Sequence, residues 1–229
     1  MKKVLLVIIV LAILAGGGSY GYMYLRDAAA YFTTDNAAVT ADTVTVTPLV
    51  SGTVSSWNVK EGDTVKAGQV LGKLDLSGLV SSSAISASGL SSSADPLVSK
   101  SDIKSPIDGK VIVSKGLVGL TLAPGSQAAV IANTNDMYIN ANIEETSIFR
   151  IMAGQSVIVR IDAYPGKVFA GYVDRIGQST QSAFSQFPNL NTSGTYTKVT
   201  QLIPVRIVIS NPDNLPLIMG MNATVRIKY

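Results

Sequence analysis

Few residues of this chain have side chains that could do chemistry. The 229 residues include no histidine and no cysteine, which excludes thiolate nucleophiles, Cys/His zinc sites and every triad that needs imidazole. Glu144 and Glu145 are the only adjacent carboxylates, and paired carboxylates can serve as general acid and base. Acids that open a helix more commonly complement its dipole. The sequence therefore predicts a protein that is not an enzyme and that uses no metal and no cofactor.

The charge of the chain argues against a nucleic-acid partner. Charged residues make up 14% of the sequence and the net charge is only +3. The lysine and arginine residues are scattered along the chain, and no basic run could follow a phosphate backbone. We therefore expect no nucleic-acid binding.

The first 30 residues predict a membrane anchor. Lys2 and Lys3 precede residues 4–25, in which Ser19 is the only strongly polar side chain. As a helix this segment would span about 33 Å, enough for the hydrocarbon core of a bilayer. The paired lysines favour a cytoplasmic N-terminus, with the bulk of the chain outside the cytoplasm. A cleaved signal peptide is the alternative, but the small residues at 28–30 lie far beyond its apolar core.

Two later stretches of the chain are copies of one another. Residues 51–74 align without gaps on residues 108–131, with a constant offset of 57 positions. The alignment superposes three pairs of glycines, which indicates shared turn geometry: Gly52 with Gly109, Gly62 with Gly119, and Gly68 with Gly125. Each copy contains only short strands, so we expect both to fold together as one small sandwich. Trp57 is predicted to pack on the sheet rather than to bind a ligand.

The copies are separated by a segment of different composition. Residues 76–102 are rich in serine, which competes with helix formation, and they predict a flexible linker projecting from the sandwich. The resulting domain boundaries are an anchor at 1–30, an entering strand at 31–50, the sandwich at 51–75 and 103–132, the linker at 76–102, and a barrel at 133–229.

The C-terminal part has the pattern of a small β-barrel with one short helix. Alternating strands flank a helical stretch at 144–152, and a strand at 36–47 could complete the barrel. Three places are candidate partner contacts: the helix edge at 145–153, the turn Tyr164-Pro165-Gly166, and the polar loop at 179–197, which contains Phe184 and Phe187. For the two phenylalanines, burial by the loop itself is the alternative.

At these residues the chain resembles the HlyD family of membrane fusion proteins, which are periplasmic adaptors, and most closely the EmrA-type multidrug adaptors. The resemblance implies a mainly β fold, with a barrel-sandwich hybrid beside a β-barrel. It also implies a homo-oligomer assembled with an inner-membrane transporter, with a major-facilitator exporter favoured and an ATP-driven exporter as the alternative. The segments that carry it are 33–54, SPIDGKV at 105–111, LAPGSQ at 122–127, 139–173, 193–209 and 219–227.

The chain departs from the family in two places. The family usually has a long helical hairpin between the two copies of the repeat, where this chain has only residues 76–102. Enzyme-borne lipoyl and biotinyl domains carry a modified lysine at the hairpin tip, but Lys73 falls inside a predicted strand. An acyl or biotinyl carrier is therefore disfavoured. A wall-associated structural or sensor protein with the same fold is the alternative to a pump adaptor.

Overall fold

The structure is a computed structural model that describes residues 16–17, 30–76, 101–180 and 200–229. Nearly all of the predicted anchor, and residues 77–100 of the predicted linker, lie outside the described residues. Within these ranges no helix has both the length and the hydropathy needed to cross a membrane. The chain divides into two compact units, Ala41–Met137 and Met1–Thr40 with Tyr138–Tyr229.

The unit Ala41–Met137 consists of two four-stranded sheets. One sheet has the order β2-β9-β7-β4 and the other the order β6-β5-β3-β8, and every pair in both is antiparallel. Each sheet combines strands of both repeats, so neither repeat forms a sheet alone. The strands are β2 Thr43–Val46, β3 Gly52–Trp57, β4 Thr64–Val65, β5 Val70–Asp75, β6 Asp102–Lys104, β7 Gly109–Ser114, β8 Thr121–Leu122 and β9 Ala129–Ala132.

Buried side chains from both sheets form a single core. They are small and β-branched or aliphatic residues, which suit the narrow space between short strands. The core consists of Val46, Val54, Val59, Val65, Leu71, Leu74, Ile103, Val111, Leu122, Ala128, Ala129 and Ile131.

The two repeats complete each other through equivalent backbone hydrogen bonds. The Gly62 N–H donates to the Val111 carbonyl (2.8 Å), and the Gly119 N–H donates to the Val54 carbonyl (2.9 Å). The two donor residues are 57 positions apart, and so are the two acceptor residues. The turn of each repeat therefore binds a strand of the other repeat. The short strands follow the same exchange, since β4 pairs with β7 and β8 pairs with β3. The duplication in the sequence is thus a local twofold symmetry in the structure.

The six repeated glycines serve two purposes. Four of them lie in turns with left-handed backbone, where φ is +93° at Gly62, +90° at Gly119, +80° at Gly68 and +86° at Gly125. Gly52 and Gly109 were expected in turns as well, but they begin strands β3 and β7. A Cβ atom on Gly109 would lie 2.1 Å from the Ala132 carbonyl oxygen, and one on Gly52 would lie 2.9 Å from that of Asp75. Close approach of neighbouring strands therefore requires these two glycines.

Trp57 packs between backbone segments of both repeats. A Cβ atom on Gly72 or Gly116 would lie 2.3 Å or 2.1 Å from the Trp57 ring. The indole Nε1–H donates to the Ser114 hydroxyl (2.8 Å), which itself donates to the Val59 carbonyl (3.2 Å). Ser114 is the symmetry equivalent of Trp57. The two side chains therefore meet near the local twofold axis that relates the repeats. The expected packing role of Trp57 agrees with these contacts.

The second unit is a closed antiparallel barrel of six strands in the order β1-β10-β13-β12-β11-β14. Strand β1 closes it by pairing with both β10 and β14. The predicted strand at 36–47 is in fact two strands, because the chain leaves the barrel after Thr40 and enters the sandwich as β2. The barrel strands are β1 Tyr31–Thr40, β10 Tyr138–Glu144, β11 Ser156–Ile161, β12 Phe169–Ile176, β13 Leu202–Ile209 and β14 Asn222–Lys228.

One short helix, α1 (Glu145–Ile148), lies between β10 and β11. It is shorter than the predicted segment 144–152, and the chain continues through turns to Gly154, where φ is +87°. Two strands separate β10 from β11 in the barrel order, so this connection must cross the barrel end. Ile148 and Ile151 are buried there and cover the core of the barrel.

Gly116→Ala should destabilise the sandwich, because the added methyl group would overlap the Trp57 ring. We expect the free energy of unfolding to fall by about 1–3 kcal/mol, the usual range for overpacking, measured by urea denaturation of the full-length protein in detergent. Lys115→Ala, an exposed neighbour, is the matched control and should change stability by less than about 0.5 kcal/mol. Equal stabilities of the two variants would contradict the packing described for Trp57.

Deleting residues 77–101 should leave the sandwich folded. Strands β5 and β6 pair in antiparallel register with Lys73 opposite Asp102, so a short glycine-containing turn can join them. Shortening the loop should raise the free energy of unfolding by about 1–2 kcal/mol through the smaller closure entropy. Loss of cooperative urea unfolding in the deletion variant would show that the linker is needed for the fold.

Candidate interaction surfaces

The turn Tyr164-Pro165-Gly166 connects β11 to β12, and Gly166 supplies its left-handed residue with φ of +81°. The Tyr164 hydroxyl donates to the Pro216 carbonyl, and its ring lies 6.4 Å from the Phe169 ring at 58°. Tyr164 is therefore half-buried and secures the turn, whereas Pro165 and Gly166 are exposed. As partner contacts, all three residues stay a prediction.

The other residues singled out from the sequence lie partly outside the described ranges. Phe184 and Phe187 lie outside the described residues, so their role stays a prediction. Glu144 ends β10 and Glu145 begins α1, and both are exposed. Across the described ranges, no group of three or more acidic side chains could hold a metal ion.

Lys73 is part of the sheet, as predicted. It lies within β5, and its ammonium group is 3.9 Å from the Asp102 carboxylate on the neighbouring strand β6. Lys104 pairs with the same carboxylate at 3.7 Å. These ion pairs lie on the surface of two neighbouring strands. Lys73 therefore does not project from a hairpin tip, as a modified lysine would have to.

The first surface that sequence reasoning missed is the turn at residues 117–120, which is the symmetry equivalent of the turn at 60–63. The two symmetry-related turns have the same backbone: the Asp63 N–H donates to the Lys60 carbonyl (3.2 Å), and the Leu120 N–H donates to the Leu117 carbonyl (3.0 Å). Their side chains differ in kind, since the first turn reads Lys-Glu-Gly-Asp and the second Leu-Val-Gly-Leu. Leu117 and Val118 are 70% and 69% exposed. The second turn thus displays an apolar tip that its fold does not require.

The charged turn shows that a polar tip would serve the fold equally well. Its Asp63 carboxylate accepts a hydrogen bond from the Lys60 N–H (2.8 Å), and its Glu61 carboxylate accepts one from the Ser114 N–H (3.3 Å). Alignment of the two repeats already contains this contrast, so the sequence held the signal. Exposed aliphatic side chains in one place commonly mark contacts with another molecule, and we name residues 117–120 the apolar turn.

A second surface lies on the barrel next to α1, within the helix edge 145–153 that the sequence offers as a candidate partner contact. Phe149 and Met152 are 85% and 64% exposed, although both alternate with the buried Ile148 and Ile151. The helical spacing within 144–152 placed Met152 on one face with Ile148 and Ile151 and did not include Phe149. The early end of α1 after Ile148 instead sends Phe149 and Met152 outward.

Both units match domain families of the same class of protein. Residues 42–134 match the family described as "RND MFP, barrel-sandwich hybrid domain", and residues 137–227 match the "YknX-like beta-barrel domain". With the sandwich and the barrel in this order, the chain belongs to the membrane fusion protein family that its sequence resembles.

Individual relatives agree with this assignment. The chain is 37% identical over 197 residues to YhbJ of Bacillus subtilis strain 168, provisionally named an efflux system component, covering 86% of this chain and 79% of that protein. It is 32% identical over 134 residues to the colistin resistance protein EmrA of Acinetobacter baumannii, covering 57% of this chain and 38% of that one. The chain therefore spans much less than two thirds of EmrA.

A solved structure shows the same fold. The chain superposes with a TM-score of 0.67 and 21% identity on a MacA–MexA chimeric protein that contains the α-hairpin domain of Pseudomonas aeruginosa MexA. The match covers 87% of this chain and 82% of the chimera. At this identity the likeness concerns the fold alone.

Replacing the apolar tip should affect association and not folding. The double variant L117S/V118S should keep its free energy of unfolding within about 0.5 kcal/mol, because both side chains are solvent-exposed. We expect it to form fewer covalent oligomers on chemical cross-linking of the full-length protein in membranes. The variant K60S, in the symmetry-related turn, is the control and should cross-link as the parent does. Unchanged cross-linking of L117S/V118S would show that the apolar turn does not contribute to association.

Proposed function

We propose that this chain is the non-catalytic adaptor of an efflux or secretion pump and exports drugs or other small molecules together with an inner-membrane transporter. The observation that carries the proposal is the succession of a barrel-sandwich hybrid and a YknX-like barrel across residues 42–227. The high coverage of YhbJ in both directions supports it. These findings favour an adaptor over a wall-associated structural or sensor protein that uses the fold without a pump.

The role is mechanical rather than chemical. The family consists of adaptors, and the residues that the structure describes contain no group of acidic side chains that could hold a metal ion. Such a protein works by holding surfaces against its partners. The apolar turn and the exposed pair Phe149 and Met152 are suited to that work, because apolar side chains gain most from leaving water.

The transporter that we propose is a major-facilitator exporter. Support comes from the likeness to EmrA-type proteins, among them one named a multidrug export protein in Haemophilus influenzae, which is 33% identical over 132 residues. We also propose a homo-oligomer, and a single-pass topology with a cytoplasmic N-terminus and the bulk of the chain outside the cytoplasm. The apolar run at 4–25 and the lysines before it support that topology.

Affinity purification of the tagged full-length protein from its own membranes in mild detergent tests the proposal. We expect mass spectrometry to identify one polytopic exporter in stoichiometric amount. The control is the tagged segment 1–30 fused to an unrelated soluble domain, which should recover no exporter. Recovery of the protein alone, even after cross-linking, would contradict the adaptor function.

A genetic measurement separates a pump adaptor from a structural protein. Deleting the gene for this chain should increase drug susceptibility as much as deleting the gene for the co-purified exporter, and the double deletion should add nothing further. Additive effects of the two deletions would show that the proteins act independently.

A further inference from the structure

One end of the barrel lies where the chain arrives from the predicted anchor. Antiparallel pairing places the start of β1, the end of β14 and the start of β11 together. The Tyr229 N–H donates to the Ala30 carbonyl (3.0 Å), which fixes both ends of the described barrel at this point. The connection between β10 and β11 crosses the same end. We call this region, made of residues 30–31, 144–155 and 228–229, the capped end.

The capped end presents Phe149 and Met152 in a fixed arrangement. The Met152 N–H donates to the Gln155 side-chain oxygen (3.0 Å), and the Gln155 side-chain amide donates to the Arg150 carbonyl (3.1 Å). Ile151 is anchored in the core between them, 4% exposed. The two outward side chains therefore sit on a braced turn and do not need to be ordered when they meet an apolar phase.

The length of chain between barrel and anchor limits where the capped end can be. The apolar run of the sequence ends at Leu25, five residues before Ala30. A fully extended segment of that length reaches about 17 Å. With residues 4–25 in the bilayer, Ala30 is held within this distance of the membrane surface, and the capped end is held there with it.

The polar side chains of the capped end suit an interface with lipid headgroups. Arg150 lies over the Tyr229 ring at 5.8 Å, and Arg226 lies over the Tyr31 ring at 4.6 Å. Tyrosine and arginine side chains of this kind are common where apolar lipid meets water. Lys228 adds a third positive charge, and the exposed Glu144 and Glu145 add two negative charges. Because these charges largely cancel, burial of Phe149 and Met152 would contribute most of the binding free energy.

We propose that the capped end rests on the outer surface of the bilayer and that Phe149 and Met152 enter the lipid interface beside the chain's own anchor. The contact resembles the shallow insertion of interfacial helices, in which a few apolar side chains reach the boundary between headgroups and acyl chains. It gives the barrel a second attachment to the membrane and limits its tilt about the tether. The inference depends on the predicted anchor and goes beyond the adaptor function.

Site-specific fluorescence of the full-length protein tests the proposal. The chain has no cysteine, so M152C and F149C each provide a single site for an environment-sensitive dye such as NBD. The variant I218C is the matched control, since Ile218 is 63% exposed, close to the 64% of Met152. Ile218 lies between β13 and β14 at the opposite end of the barrel. The proteins are reconstituted, without any transporter, in phosphatidylethanolamine–phosphatidylglycerol vesicles that contain lipid spin-labelled near the headgroup.

We expect the dye on M152C and F149C to shift its emission to shorter wavelength and to lose fluorescence to the spin label. The dye on I218C should keep its emission in water and lose little. Equal quenching at the three sites, or none at positions 149 and 152, would overturn the proposal. Movement of the M152C dye out of water only after co-reconstitution with an exporter would also overturn it, because the occupant would then be the exporter.

Alkaline extraction of the same vesicles distinguishes the possible failures. Retention of the protein in the membrane together with an unquenched M152C dye would reject the lipid contact alone. Release of the protein would reject the anchor and, with it, the lipid contact. Neither result affects the adaptor function, which the co-purification of an exporter tests separately.

Discussion

Neither repeat of the sandwich can satisfy its own backbone, and this constraint shapes the rest of the unit. The turn at Gly62 bonds to the strand at Val111, and the turn at Gly119 bonds to the strand at Val54. Unpaired backbone groups at a buried strand are costly, so each repeat is stable only with the other in place. The glycine spacing follows from this exchange, because both copies must turn at equivalent positions to reach each other. Trp57 adds a packing element at the shared axis.

The same constraint separates what the fold needs from what it displays. The symmetry-related turns have the same backbone hydrogen bond, so the exposed leucine and valine side chains of one turn are not required by its backbone geometry. One turn carries Lys60, Glu61 and Asp63, and the other carries the apolar turn. The duplication thus provides an internal control for reading function from a single sequence. The barrel offers no such comparison, and its exposed Phe149 stands out only once the structure is known.

Much of the fold was predictable from the sequence because it depends on local patterns. Alternating residues predicted a barrel on both sides of the short helix, and the glycine pairs predicted the sandwich. The misassigned features depend on tertiary context. The strand at 36–47 divides because Thr40 and Thr43 belong to different units, which alternation cannot show. The helix ends at Ile148 because the chain must cross the barrel end, and only the strand order reveals that crossing.

The candidate surfaces were less predictable than the fold. The place of Tyr164 in a turn predicts a partner contact but does not show that its hydroxyl donates to the Pro216 carbonyl, 52 residues away in sequence. Exposure is set by such distant contacts, whereas periodicity reports only which residues share a face. The apolar turn was visible in the aligned repeats, and its significance became clear when both turns proved to have the same hydrogen bonds.

The closure of the barrel by β1 and β14 has a consequence for biosynthesis. Tyr31 pairs with Lys228, so this edge of β1 is covered only after nearly all of the following chain has been made. Contacts between residues so distant in sequence form slowly. During this interval β1 presents an open edge with which another strand could pair. The sandwich can fold as soon as β9 has been made. The barrel strands β1 and β10 must then pair across a sandwich that is already folded.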